Sequence, residues 1–306
     1  MNANAATVAS APALTQRAGR LDTLVALVRR ELWEHRSLWI APLVVEALLA
    51  ISLLIGRINM DLPERVLTAQ QKVSIFTIGQ WLGAQPLYIT MVIVVAFYLL
   101  DCLYAERKDR SILFWKSLPL SDEVTVGSKF LVAAVVVPLG AFVLASAADL
   151  VFAAIFALRV PGTLGWNTYE WLRTELALLL ECILGVLWYS PIAGALLLFS
   201  AWIRRSPILW ATLVPIVAPI IEFVALRTKY IWHFETYRVN GIWHKLLSGP
   251  DVFDKSSFHN LPPVGAVLDT LNIRGAFTDI DLWLGVVAAF AMAYAAARVR
   301  RYRDDT

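Results

Sequence analysis

The chain of 306 residues is too apolar for a soluble domain, because 58% of its residues are hydrophobic and only 17% are charged. Its mean hydropathy of +0.63 predicts that most of the chain faces lipid or other membrane helices. The formal net charge of +3 gives no reason to expect a nucleic-acid partner, so the positions of the basic residues are used below as a guide to topology.

The N-terminal part of the chain divides into two regions. Residues 1–19 are predicted to be flexible, and they lack the basic start, apolar core and cleavage site of a signal peptide. Residues 20–306 are predicted to form a single transmembrane domain. Its first helix should be amphipathic, with Asp22 as its N-cap and an apolar face of Leu24, Val25, Val28 and Leu32. We expect this helix to lie along the cytoplasmic membrane surface; the alternative is a plain extension of the first span.

Six apolar runs are long enough to cross a hydrocarbon core of about 30 Å as helices. The predicted spans are residues 38–55, 86–103, 126–148, 176–202, 207–226 and 280–297. With six spans both termini lie on one side, and most of the 27 Lys and Arg residues then fall on that side, which favours cytoplasmic termini. Tryptophans at or near the predicted span ends agree with this topology: Trp39, Trp81, Trp166, Trp171, Trp202, Trp210 and Trp283.

The segment between the second and third predicted spans, residues 104–122, is more elaborate than a simple turn requires. Five consecutive charged residues begin at Glu106 and end at Arg110, and an aromatic pair, Phe114 and Trp115, follows. The i, i+4 spacing of Glu106 and Arg110 predicts a short helix. Charged residues around an aromatic tip suit reversible docking on another protein, whereas a solvated charged loop is the simpler alternative.

The next helix is expected to begin directly after this segment. Pro119 ends the segment, and either Ser121 or Asp122 can cap the third span. A cap at this point would let a movement of the segment pass into the third span as a rigid body.

Residues 227–279 form the longest region between predicted spans. We expect short helices that cap the outer mouth, broken at Gly241, Gly249–Pro250 and Pro262–Pro263. His233, His244 and His259 lie here with Glu235, but their spacing matches no metal-ligand pattern. Interfacial packing is therefore favoured over metal binding.

Acidic side chains within predicted spans need either a partner or a function, because a charge in hydrocarbon is costly. The candidates are Glu46, Asp101, Asp149, Glu181 and Glu222. Hydrogen bonding to a neighbouring helix is favoured, and a proton relay is the alternative. The two cysteines, Cys102 and Cys182, are expected to be apolar packing residues rather than a disulfide or a reactive pair.

The motifs of several enzyme classes are missing from the sequence. It contains no G-x-x-x-x-G-K-[ST] phosphate loop, no H-E-x-x-H and no G-x-S-x-G. The chain is therefore not expected to be an enzyme by itself, and energy for work against a gradient would come from a partner or an ion.

Residues 106–119, ERKDRSILFWKSLP, resemble the loop between the second and third spans of type 2 ATP-binding cassette (ABC) exporter permeases. The similarity is greatest to a bacterial subgroup with the pattern E-R-x-x-R-S-x-x-F-W-x-S-L-P. Elsewhere the chain resembles this family only in the layout of its spans, surface helix and outer region.

The resemblance implies a permease subunit in a bacterial inner membrane. Its 104–122 segment would be a coupling helix that docks on a cytosolic ATPase through Glu106, Arg107, Arg110, Phe114, Trp115 and Lys116. Two ATP-binding subunits would carry ATP and magnesium, and this chain would carry no cofactor. A second permease chain would complete the complex, with a homodimer favoured over a heterodimer. The pathway at the dimer seam would include Phe97, Tyr98, Pro215 and Pro219.

Two other functions stay open. One is an ion-coupled secondary transporter that uses Asp149, Glu181 or Glu222 as a proton site, although no internal repeat of the spans is evident. The other is a membrane-embedded enzyme or assembly factor without transport activity, whose chemistry would lie in residues 227–279.

Overall fold

The computed structural model describes residues 20–56, 68–112, 117, 120–159, 165–246 and 271–302. About 90% of the structure is helical and no strand is present among the described residues. The helices are α1 (Arg20–Glu34), α2 (Ser37–Ile55), α3 (Ala69–Asp101), α4 (Tyr104–Lys108), α5 (Asp122–Leu131), α6 (Val137–Arg159), α7 (Thr168–Trp202), α8 (Pro207–Leu226), α9 (Tyr230–Leu246), α10 (Ile273–Thr278) and α11 (Ile280–Tyr302), with a π-helical turn at Val132–Val136 joining α5 to α6.

Six helical stretches are long and apolar enough to cross a membrane, which confirms the predicted all-helical class. They are Ser37–Ile55, Ala69–Lys108, Asp122–Arg159, Thr168–Trp202, Pro207–Leu226 and Ile280–Tyr302. Three extend well beyond the predicted spans, and in Ala69–Lys108 and Thr168–Trp202 the additional turns carry polar side chains that lower the local hydropathy. In a bundle such side chains can be buried against a neighbouring helix instead of lying outside the membrane.

Helix α3 shows this effect most clearly, since it begins at Ala69 rather than near residue 86. A capping box fixes its start: Thr68 Oγ1 accepts from the Gln71 amide at 3.3 Å, and Gln71 Oε1 accepts from the Thr68 amide at 3.0 Å. Because the helix starts early, Trp81 lies in the interior. Trp81 therefore packs against other helices instead of facing outward from the bundle.

Helix α1 packs against α5 and the π-helical turn through one side only. Leu27 and Glu31 are buried on that side, whereas Leu21 and Val25 are exposed. Asp22 lies in the first helical turn rather than at the N-cap, because α1 already includes Arg20. The start of α5 agrees with the sequence pattern, since the Ser121 hydroxyl caps it by accepting from the Val124 amide at 3.3 Å.

Helix α7 is the central helix of the bundle and packs along both α3 and α11. Its closest approach to α11 is at Gly194, where an added Cβ would lie 2.9 Å from the carbonyl oxygen of Ala289. Gly194 is therefore needed for the two backbones to meet. Cys102 and Cys182 are free and buried in the same core, as expected for apolar packing.

Helices α9 (Tyr230–Leu246) and α10 (Ile273–Thr278) pack on α7 through Trp188, Ile242 and Leu246. Gly241 does not break α9 as predicted. Instead, it makes room for Trp188, because a Cβ at this position would lie 2.9 Å from the indole ring. The predicted breaks at Gly249–Pro250 and Pro262–Pro263, together with His259, lie outside the described residues.

Candidate functional site: the 104–112 segment and its ion cluster

After α3, a short helix covers Tyr104–Lys108. The chain then leaves the helix, and Arg110 adopts a left-handed backbone conformation with φ of 56°. The predicted pairing of Glu106 with Arg110 is therefore wrong, because the two residues are not on one continuous helix. Glu106 is buried, whereas Lys108, Asp109 and Arg110 are exposed.

The start of this segment is attached to the C-terminal end of α7. The Ser200 hydroxyl accepts from the backbone amides of Leu103 and Tyr104, each at 3.1 Å. Arg107 Nη2 donates to the carbonyl oxygen of Ile203 at 3.0 Å and also to that of Ser200. A cation at a helix C-terminus satisfies exposed carbonyls and interacts favourably with the helix dipole. Arg107, which is also predicted to dock on an ATPase, thus attaches the segment to the bundle in this structure.

Glu106 also faces inward, where basic residues from three other helices surround its carboxylate. Its oxygens lie 3.1 Å from Lys129 Nζ, 2.9 Å from Arg300 Nη2 and 3.6 Å from Arg30 Nη2. Glu106 is predicted to dock on an ATPase, but its side chain is buried within this chain. Glu106 instead links α4 to α1, α5 and α11.

A second buried carboxylate, Glu31, completes the arrangement. Lys129 Nζ lies 2.7 Å from Glu31 Oε1, and the Tyr98 hydroxyl donates to Glu31 Oε2 at 3.0 Å. Glu31 and Lys129 are each only 1% exposed. Tyr98 therefore lies in the interior of the chain rather than on a free face, in contrast to the half-exposed Phe97.

We call the group formed by Arg30, Glu31, Glu106, Asp122, Lys129 and Arg300 the ion cluster. It contains three acidic and three basic side chains, and Arg300 Nε lies 3.5 Å from Asp122 Oδ1. The pairing of opposite charges lowers the free-energy cost of burying these side chains, because an unpaired ion loses its hydration without compensation. Neither Glu106 oxygen has a donor at hydrogen-bonding geometry among the described residues. The contacts to Glu106 are thus ion pairs rather than aligned hydrogen bonds.

His35 lies beside the ion cluster and stacks edge-on against Tyr98 at 4.8 Å between ring centroids. Burial lowers the pKa of the His35 imidazole, although the nearby Glu31 carboxylate partly opposes this effect. The ring is therefore neutral near pH 7. Glu31, Glu34 and His35 bring potential metal ligands within 4.8 Å of one another, but Lys129 already holds Glu31 and its charge would repel a metal ion.

Sequence reasoning identified the segment but missed most of the ion cluster. Arg30, Glu31, Lys129 and Arg300 were treated as ordinary charges flanking the spans. One signal was present, because Lys129 lies within the predicted span of residues 126–148 and a lysine inside a span needs a partner. The other predicted docking residues, Phe114, Trp115 and Lys116, lie outside the described residues.

A separate polar group lies within the bundle, away from the ion cluster. Glu175 Oε1 accepts from Gln80 Nε2 at 3.0 Å, and Glu175 Oε2 accepts from the Ser146 hydroxyl at 2.5 Å. Asp149 lies beside Glu175 and Gln80, with Glu46 nearby on α2. Glu175 was missed because it directly precedes the predicted span of residues 176–202.

Glu181 and Glu222 have different surroundings. Glu181 accepts from Trp81 Nε1 at 2.9 Å and from Gln85 Nε2 at 3.3 Å. Glu222 caps the start of α9, since it accepts from the Thr228 hydroxyl at 2.6 Å and from the backbone amides of residues 230 and 231 at 2.7 Å each. These three hydrogen bonds account for an acidic residue at position 222 as a helix cap, so a role in proton transfer is not needed to explain it.

The predicted seam residues on α8 differ in exposure. Pro215 is exposed and Pro219 is buried, and both are accommodated in one continuous helix. Helix α8 exposes most of its length, so it is the least enclosed of the candidate spans. Comparison of the chain with protein-family models, with curated proteins and with solved structures found no match.

Proposed function

We propose that this chain is the permease subunit of a type 2 ABC exporter, acting as a homodimer with two ATP-binding subunits that carry ATP and magnesium. The observation that carries the proposal is the attachment of the 104–112 segment to the bundle. Through Glu106 the segment contacts α1, α5 and α11, and through Arg107 it contacts the end of α7. A segment held in this way can transmit a movement to several membrane helices at once.

In this mechanism the exposed residues of the segment bind the ATP-binding subunit, and its inward-facing residues contact the membrane helices. The ATP-binding subunit contacts the exposed Arg110 together with Phe114, Trp115 and Lys116. Glu106 transmits a displacement of the segment to two membrane helices, because it is paired with Lys129 at the start of one span and with Arg300 at the end of another. The fourfold attachment favours movement of these helices as a rigid group.

We also propose an orientation of the bundle in the membrane. The ion cluster gathers Arg30, Lys129 and Arg300 at one end of the bundle. We assign this end to the cytoplasmic side of a bacterial inner membrane, in line with the positive-inside rule. Helix α1 then lies at the cytoplasmic surface, and α9 with α10 forms part of an outer subdomain.

The test is a double variant, Arg110→Glu with Trp115→Ala, in the complex purified with its ATP-binding subunits. We expect loss of those subunits and of ATP-dependent transport. Arg110→Glu removes the electrostatic attraction between the partners, and Trp115→Ala removes buried contact area. Subunit stoichiometry and ATP hydrolysis in nanodiscs measure the effect.

A matched control is Arg298→Glu with Tyr302→Ala, since both residues are exposed on α11. This control should retain its ATP-binding subunits. Normal ATP-dependent activity of the Arg110→Glu, Trp115→Ala variant, with normal membrane insertion, would reject the proposed docking segment.

The polar group around Glu175 favours a second candidate, a proton-coupled transporter. Asp149 and Glu175 are both buried and adjacent, and the Oε1 atom of Gln80 has no hydrogen-bond partner among the described residues. Two neighbouring carboxylates in a low-dielectric bundle cannot both be ionised at low cost, so they are suited to share a proton.

For this candidate, vesicles containing the protein and a trapped pH-sensitive dye should admit protons under an imposed membrane potential without ATP. Glu175→Gln should abolish the proton flux, whereas Glu123→Gln, at an exposed position, should leave it unchanged. Proton entry equal to that of protein-free vesicles would exclude the candidate.

A further inference from the structure

The bundle contains an apolar cavity of about 390 Å³ bordered by α3, α7 and α9. This volume lies in the usual range of small-molecule sites, about 300–1,000 Å³. Ile89 and Ile93 border the cavity and are themselves half-exposed. The cavity therefore opens on the outer surface of the helical bundle, where a membrane would place lipid.

Glu181 is the only acidic residue among those that line this cavity in the described part of the chain. Its side chain is buried, with 8% of the residue exposed. The N–H groups of Trp81 and Gln85 donate to its two oxygens, whereas burial opposes the ionised form, so a cation beside the carboxylate would supply the compensating charge. No basic residue among the described residues pairs with Glu181. The cavity thus combines an apolar wall with one buried carboxyl group.

Two tyrosines contribute to the same wall. The Tyr88 hydroxyl donates to the carbonyl oxygen of Leu178 at 3.2 Å, and the Tyr189 hydroxyl donates to that of Val239 at 2.8 Å. These hydrogen bonds fix the positions of both aromatic side chains. Aromatic rings attract cations and repel anions at their faces, so they add to the preference that Glu181 sets.

We propose that this cavity binds a lipophilic monovalent cation, with Glu181 as its counter-charge. A hydrophobic amine or onium ion would cover the apolar wall and neutralise the buried carboxylate. A neutral acyl chain would fill the same space but would give the Glu181 carboxylate no ionic partner. The inference concerns ligand binding to this chain alone, so its failure would leave the proposed coupling to an ATP-binding subunit untouched.

The test is equilibrium binding of tetraphenylphosphonium to the full chain in nanodiscs, with the isosteric anion tetraphenylborate as comparison. We expect saturable binding of the cation, at least about tenfold tighter than binding of the anion. Glu181→Gln should weaken cation binding by a similar factor, because it removes the charge and keeps the shape.

A second variant keeps the proposal testable if Glu181→Gln fails to fold. Gly185 lines the cavity, and a Cβ at this position would meet no atom within 4 Å. Gly185→Leu should therefore occupy the cavity and abolish binding. Gly140→Leu, at an open position outside the cavity, and Glu46→Gln, which removes another buried acid, are the matched controls and should bind as the unmodified chain does.

Three results would overturn the proposal. The first is the absence of saturable tetraphenylphosphonium binding. The second is equal affinity for cation and anion, which would indicate an apolar site for lipid chains. The third is cation binding that persists unchanged in both Glu181→Gln and Gly185→Leu.

Discussion

Replacing Lys129 with Met is expected to lower the free energy of unfolding by about 3–5 kcal/mol, the usual cost of breaking a buried ion pair from one side. Lys129 is 1% exposed and lies between the carboxylates of Glu31 and Glu106. Met keeps the length and the apolar stem of the side chain but leaves two buried acids facing each other. The expected result is a clear fall in melting temperature in detergent, and reduced yield of folded protein.

Two further variants separate the charge effect from a general loss of packing. Lys108→Met changes the same residue type at an exposed position of α4 and should alter stability by less than about 0.5 kcal/mol. Adding Glu31→Gln to Lys129→Met should recover part of the loss, because it removes one of the unpaired charges. Equal melting temperatures for Lys129→Met and Lys108→Met would show that the ion cluster does not stabilise the fold.

The second large effect is expected at Gly194, where α7 and α11 meet. An added methyl group would lie 2.9 Å from the Ala289 carbonyl oxygen and 3.0 Å from its Cα. Because both contacts are to backbone, the helices must separate, and Gly194→Ala should cost about 1–3 kcal/mol. Unfolding of the detergent-solubilised protein, followed by circular dichroism, measures this cost.

Gly185→Ala is the matched control on the same helix. Its added methyl group would meet no atom within 4 Å, so only the helix propensity changes. This change should stabilise the protein by up to about 1 kcal/mol. If both alanine variants shift stability in the same direction by similar amounts, close approach at Gly194 is not what limits the packing of α7 on α11.

The helices that sequence patterns placed most accurately are those with the fewest polar residues. Helices α2 and α8 are of this kind: they were predicted over residues 38–55 and 207–226 and found over Ser37–Ile55 and Pro207–Leu226. Helix α3 was predicted too short because residues such as Gln80 lower its hydropathy. Gln80 is nevertheless buried, since Glu175 on α7 accepts its hydrogen bond. Hydropathy along one helix carries no information about such a partner on another helix.

The ion cluster could not be predicted from the sequence for a similar reason. Its residues are charges near the ends of apolar runs, which is also where the positive-inside rule places unpaired charges. Only the fold brings Arg30, Glu106 and Arg300 together from distant parts of the chain. Spacing within residues 104–122 suggested that Glu106 pairs locally with Arg110, but contacts with three other helices replace that pair.

The spread of the ion cluster along the chain has a consequence for the order of biogenesis. Glu31, Glu106 and Asp122 leave the ribosome before Lys129, and Arg300 follows only after the remaining spans have been made. Until Arg300 arrives, the acids outnumber the bases at this site. The ion cluster therefore becomes neutral only when α11 docks, so α11 completes a charge arrangement that the preceding helices cannot complete.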